Sequence, residues 1–344
     1  WMGDGGFSSS TRALFAGGYT PGAILASIDY VTIATLGNAQ DFGDLTDARQ
    51  QIASTSSLTR GVVSGGEAPS DRDEIQFINI DTTGSTQDFG NLVDGRRYAV
   101  GCSSRVTGLI MGGFDNPSFS DMIQKITIAS TGNAVDTGGN LSSAKHFGVG
   151  ASNGTRGFYA GGNVPGPNTN IIEFVTISNV GNMVDFGDLT VAKQGMSGMC
   201  NTPTRALFMG GNVSPYPIDL ITMSTQGNAT DFGDVSLSYG VQCSNAIRGL
   251  YGGGDPHSNV IEFVTMSTLG NSKDFGDLTV ARYYGSSTSS STRGIFWNGW
   301  TPTRINTIDY VQIMTIGNAV DFGDATIEAN AVTAALSNGH GGLG

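Results

Sequence analysis

Short apolar runs alternate with glycine- and asparagine-rich breaks along the whole chain, and the breaks return at a near-constant spacing. One full cycle runs from Ser27 to Gly66, SIDYVTIATLGNAQDFGDLTDARQQIASTSSLTRGVVSGG. Runs of Val, Ile, Thr, Phe and Tyr punctuated by Gly, Asn and Pro are strand-and-turn signals. No stretch sustains a 3.6-residue apolar period, so almost no helix is expected. The Asp that opens DFGDL recurs at Asp41, Asp88, Asp136, Asp185, Asp231, Asp274 and Asp321, in steps of 47, 48, 49, 46, 43 and 47 residues. Seven copies of about 48 residues account for nearly all of the 344 residues.

Each copy reads as four strands. The first starts at the basic residue after DLT (Arg49, Arg96, Lys145, Lys193 and Arg282), and the second is the TRALFAGG type ending in a Gly pair. The third is the IDYVTI type, and a compact Gly turn leads into the fourth, the NAQDFGDL type. A four-stranded antiparallel unit repeated radially is a propeller blade. The sequence therefore predicts an all-β, seven-bladed β-propeller, a single domain over residues 1–344. Residues 1–10 read as a lead-in, because the chain enters at a second-type strand, Thr11 to Gly18. That leaves the first blade short of its innermost strand, and residues 330–337 have the phase and composition to supply it. The expected ring is closed by that C-terminal strand, which removes two open sheet edges.

The connections fall on two faces. Third-to-fourth turns hardly vary (Leu36-Gly-Asn38, Thr131-Gly-Asn133, Leu269-Gly-Asn271), which reads as scaffold. Second-to-third loops differ in every blade: YTPGAILA, EAPSDRD, FDNPSFSD, NVPGPNTN, NVSPYP, DPHSN and WTPTRINT. A rigid scaffold with divergent loops on one face is a common plan for a binding protein; unconstrained drift of surface loops is the plainer alternative. The binding reading selects Tyr19, Phe114, Tyr216 and Trp300 as aromatic contacts, with Asp115, Asn163, Asp255, His257 and Arg304 as polar neighbours. Aromatic faces stack on pyranose C–H faces while Asn, Asp and Arg take the hydroxyls.

Charge and chemistry narrow the function. Net charge is −12 with 17 Lys and Arg that do not cluster, which argues against nucleic acid as a partner. No apolar run reaches the length of a membrane span, so no membrane insertion is expected. The recurring DFGDL Asp and the Arg before six second strands (Arg12, Arg60, Arg156, Arg205, Arg248 and Arg293) repeat one local contact. We read them as turn caps and Arg–Asp pairs, and the third-strand acids Asp29, Glu173, Asp219, Glu262 and Asp309 likewise as structural. Cys102, Cys200 and Cys243 each stand ten residues before a Gly pair, where other copies hold Thr55, Ala151 and Thr288, so the site is small and tightly packed. The three histidines, His146, His257 and His340, form no short-spaced ligand pair. No metal, cofactor or catalytic residue is expected.

The strand-then-GG phrase (LFAGG, VVSGG, LIMGG, FYAGG, LFMGG) followed by a polar turn such as DLTVAR resembles the Kelch type of propeller repeat. The chain departs from Kelch in lacking a Tyr-then-Trp pair; Phe42, Phe89, Phe186, Phe232, Phe275 and Phe322 take the Trp-like place. The phrase YVTIATLGNAQDFGDLTDAR looks closest to propeller repeats in large tail or fibre virion proteins of marine tailed phages. That resemblance implies an extracellular or virion-surface binding module; the variable loops make a host-surface glycan or protein receptor the expected partner. The resemblance also implies other virion or assembly proteins, reached through sequence preceding Trp1, since WMGDGGFSSS reads as the start of a fragment or processed product. The alternatives are a purely architectural propeller and, third, a Kelch-like enzyme. A copper oxidase of the galactose oxidase kind needs more His, and a sialidase needs an Arg triad and SxDxGxTW boxes that are missing.

Overall fold

The computed structural model describes residues 6–8, 11–196 and 199–329. They form seven four-stranded antiparallel sheets, each of four strands in chain order, arranged as the blades of a β-propeller. In the second blade Ala53–Ser56 is innermost, Arg60–Ser64 and Glu74–Asn79 follow, and Gln87–Asn91 is the outer edge. Second strands are apolar on both faces, as in Arg12–Ala16, because each blade is covered on both sides by another. The core is accordingly divided among the blade interfaces: Phe158, Phe174 and Phe186 of the fourth blade pack with Ala206, Phe208 and Met223 of the fifth. In five blades the DFG phenylalanine meets a third-strand ring edge-on at 5.6–6.0 Å, as Phe42 meets Tyr30.

The innermost strands are rich in small side chains, as in Ala53–Ser56 and Ser286–Ser289. Cys102 and Cys243 are buried, and burial pushes the Cys102 thiol up to about 12. Each Sγ lies 2.6 Å from where a Cβ would stand on Gly157 or Gly294 of the next blade, so Cys102 and Cys243 pack directly against a glycine. Hydroxyls link neighbouring inner strands: Ser103 Oγ donates to Ser56 O, Ser152 Oγ to Ser103 O and Ser289 Oγ to Ser244 O, at 2.7–3.1 Å.

Two strand assignments are corrected. The innermost strand of the first blade is Gly6–Ser8, paired Gly6↔Phe15, Phe7↔Leu14 and Ser8↔Ala13. Its phase was already in the sequence, since Phe7 stands ten residues before Gly17 as Cys102 stands ten before Gly112. Residues 330–337, expected to close the ring from that place, lie outside the described residues. Innermost strands also start later than expected: Ala53, Val100, Val149 and Ser286 follow Arg49, Arg96, Lys145 and Arg282 by four residues. The basic side chains turn inward from the connection before the strand and are buried.

Every junction between blades repeats the same bonds. The third-strand Asp, Glu or Gln accepts a backbone N–H from the preceding blade at 2.7–3.2 Å, from Thr46 to Gln76 through Thr326 to Asp29. The side chain of the Gly-Asn or Gly-Ser turn accepts from the DFGD phrase of the preceding blade at 3.0–3.1 Å. The DFGDL Asp caps its own bulge in the same local way, Asp41 Oδ1 accepting from Gly43 N–H at 3.0 Å. The recurring Arg does not pair with that Asp. Its guanidinium donates across the junction to a backbone carbonyl at 2.8–3.3 Å, as Arg12 does to Ile80 and Arg293 to Ile33. Five of these guanidinium groups also lie over a third-strand ring of their own blade. A carbonyl and a ring face satisfy the cation without placing a second charge in the partly buried junction.

Charge balance differs among blades. Lys145–Glu173, Lys193–Asp219 and Arg282–Asp309 are buried pairs. Arg49 and Arg96 face the neutral Gln76 and Gln124, and pair instead with Asp47, Glu74 and Asp94. Ala329 and Leu237 stand where the base would be for Asp29 and Glu262. Asp29 is held by Thr326, whose N–H and hydroxyl donate at 2.9 and 2.6 Å. Burial raises its pKa, with the Thr326 bonds opposing.

Candidate functional site on the loop face

The divergent loops sit on a constant backbone frame. In each case the residue after the junction base, or its counterpart, bridges antiparallel to the residue after the Gly pair, or after Asn298-Gly299 in the seventh blade: Gln50↔Glu67, Arg97↔Phe114, His146↔Asn163, Ser238↔Asp255 and Tyr283↔Trp300. The fifth blade uses Gln194 and Asn212, with Asn212 N–H donating to Gln194 O at 3.1 Å. These bridges place the loops and the interblade connections on one face. One further residue along, Gln51, Tyr98, Phe147, Tyr239 and Tyr284 hold left-handed backbone, with φ of 53–61°. A residue with Cβ is strained there by about 1–2 kcal/mol. Neighbouring blades brace it: Tyr98 N–H donates to Gln51 O at 3.2 Å, and the Tyr98 and Phe147 rings lie 4.1 Å apart.

Two aromatic clusters stand on this frame. At the second to fourth blades, the Arg97 guanidinium lies 5.0 Å from the Phe114 ring and is ion-paired with Glu67 and Asp71. Phe119 stacks on His146 at 4.5 Å, and burial lowers the His146 pKa to about 4, so the imidazole is neutral at neutral pH. At the sixth and seventh blades, His257, Tyr283 and Trp300 meet with centroids 4.9–5.2 Å apart, and Tyr284 adjoins Tyr283 at 4.3 Å. Tyr239 lies 5.4 Å from Tyr284. Burial raises the phenol of Tyr239, Tyr283 and Tyr284, and the nearby Asp255 carboxylate adds to the shift.

The nine residues expected from sequence fall into separate groups. Asp255, His257 and Trp300 belong to the second cluster. Phe114 and Asp115 form a ribbon with Ser118–Phe119 in the first, where burial and then Asp94 and Asp71 raise the Asp115 carboxyl. Asn163 bridges His146 beside them. Tyr19 and Arg304 meet across the first and seventh blades, the guanidinium 4.8 Å from the ring. Tyr216 stands apart, opening the strand Tyr216–Thr222 and leaning on the core of the fifth and sixth blades. Sequence reasoning missed Arg97, Tyr98, His146, Phe147, Tyr239, Tyr283 and Tyr284. For all but Tyr239, which stands in LSYG, the signal was present in RRYA, KHFG and RYYG, where a base is followed two residues on by an aromatic.

The described residues contain no group of three or more His, Cys, Asp or Glu side chains placed to hold a metal ion. They contain no helix long and apolar enough to cross a membrane. On the opposite face a groove of about 360 Å³ lies beside Arg60, Phe77, Asn79 and Ser85. It carries none of the divergent loop residues.

No family model and no curated protein matches this chain. Among solved structures it is similar to one titled "Structure of YjhT", with a TM-score of 0.62 and 11% sequence identity, covering 79% of this chain and 97% of that one. At that identity the likeness concerns the fold.

Proposed function

We propose that this propeller is a non-catalytic recognition module that binds a host-surface glycan or cell-surface protein through its loop face. The observation that supports this reading is the bridge frame: the same backbone pairing carries a different side-chain pair in every described case. The opposite face repeats one set of contacts around the ring. Drift alone has no reason to spare the frame while changing what it displays. Several aromatic groups from separate blades on one rim suit weak, multivalent attachment. The resemblance to Kelch repeats and to phage tail or fibre propellers agrees with work at a virion or extracellular surface.

A glycan array on the intact chain tests the proposal. A hit should weaken by roughly 1–3 kcal/mol in Trp300→Ala, while Asn133→Ala and Asn228→Ala on the turn face leave binding intact. Loss of binding in the turn-face variants alone overturns the assignment.

One observation favours the architectural reading as a second role. Leu269, Ile316 and Leu36 occupy equivalent turn positions in three adjacent blades and are each more than half exposed. An apolar arc of this kind suits attachment to a larger assembly by the turn face.

A further inference from the structure

The two aromatic clusters are versions of one site with one difference. In the earlier cluster, Arg97 follows the junction base Arg96, Phe114 follows the Gly pair, and Glu67 follows the Gly pair of the preceding blade. The guanidinium lies over the Phe114 ring and pairs with Glu67. At the same three places the later cluster has Tyr283, Trp300 and Asp255. The ring and the carboxylate are kept, and the cation has become a third aromatic. Asp255 is exposed, and no ion pair to it occurs among the described residues.

We propose that the surface formed by Asp255, His257, Tyr283 and Trp300 binds an organic ammonium group, the external counterpart of the Arg97 guanidinium. The three rings pack on one another at 51–71° with centroids 4.9–5.2 Å apart, so the cation seats against their solvent side, next to the Asp255 carboxylate, and not between them. Cations favour the faces of Trp and Tyr, and a carboxylate at the rim supplies the matching charge. The raised phenols of Tyr283 and Tyr284 keep these rings neutral near the acid. This site deepens the loop-face reading and rests on it.

Choline is the probe, followed by NMR of the Trp300 indole, with 3,3-dimethylbutanol as the uncharged isostere. Choline should saturate the site and bind at least about tenfold more tightly than the isostere. Asp255→Asn should weaken choline about tenfold. Tyr283→Arg rebuilds the Arg97 arrangement beside Trp300 and Asp255, and should abolish choline binding with the melting temperature kept. Phosphatidylcholine vesicles form a second arm: capture assigns the ammonium to a lipid headgroup, and binding of choline without capture assigns it to a soluble or glycan-borne source. Equal affinity for the isostere, no choline binding by the wild type, or undiminished binding by folded Tyr283→Arg overturns the proposal. If choline fails while an array ligand is still lost in Trp300→Ala, the loop-face reading stands and only the ammonium assignment falls.

Discussion

Asp29 and Asp219 occupy the same place in their blades and are expected to respond in opposite ways to the same change. Burial lifts the Asp29 carboxyl above its ordinary 3.8, so the folded chain holds that proton more tightly than the unfolded chain. Stability contributed by this group therefore falls as pH rises from 3.8 through the folded pKa, and at neutral pH the ionised carboxylate is a net cost. Asn can still accept the Thr326 N–H through its oxygen, and its amide can donate to the Thr326 hydroxyl once that group turns round. Asp29→Asn should stabilise the fold at pH 7 by on the order of 1 kcal/mol, with the gain fading as the carboxyl protonates. Urea unfolding at pH 7 and pH 4 measures both. Asp219→Asn, by contrast, removes the counter-charge of Lys193, whose ammonium is buried 2.8 Å away and also donates to the Phe208 and Pro217 carbonyls. That change should cost about 3–5 kcal/mol. The sequence showed that these acids recur and are structural. It did not show which ones lack a base, because the two-residue shortening before Tyr239 and the Ala329 replacement become legible only once the junctions are aligned in space.

The blade junction depends on two glycines with different tasks. Gly43 sits in the DFGD bulge at φ 142°, and a Cβ there would stand 2.5 Å from the Gly84 backbone of the next blade. Gly84, in the facing turn at φ 153°, has open space around its missing side chain. Gly43→Ala therefore combines backbone strain with a collision and should cost at least about 3 kcal/mol, whereas Gly84→Ala should cost about 1–2 kcal/mol from strain alone. Thermal melts of the two variants separate these terms. At this scale the sequence was a good guide. Strand order, the bulge-capping Asp and the turn glycines all followed from the repeat, because each is a local demand written into every copy. The Arg partners were misread because a carbonyl acceptor carries no sequence signature. The left-handed aromatics Tyr98, Phe147, Tyr239 and Tyr284 were passed over because strand propensity hid their backbone.

As a whole molecule, the propeller meets its largest single test where the seventh blade returns to the first. Phe15 stacks on Trp297 at 3.9 Å, Arg293 donates to Ile33 O at 2.9 Å, and Asn38 and Asp29 accept from Asp324 and Thr326. Trp297→Ala should leave a cavity at this seam and cost about 3–5 kcal/mol in urea unfolding. Every described blade keeps its four strands in chain order, and the seam repeats the polar contacts of the covalently joined junctions. Peptide continuity is thus not what gives a junction its geometry, and the ring has no privileged starting blade. Joining the present ends through a linker and reopening the chain ahead of Val149 should give a circular permutant with the same circular dichroism spectrum. By the same logic, copies can be gained or lost as whole blades, since among the described residues no blade has lent its neighbour a strand that must be returned.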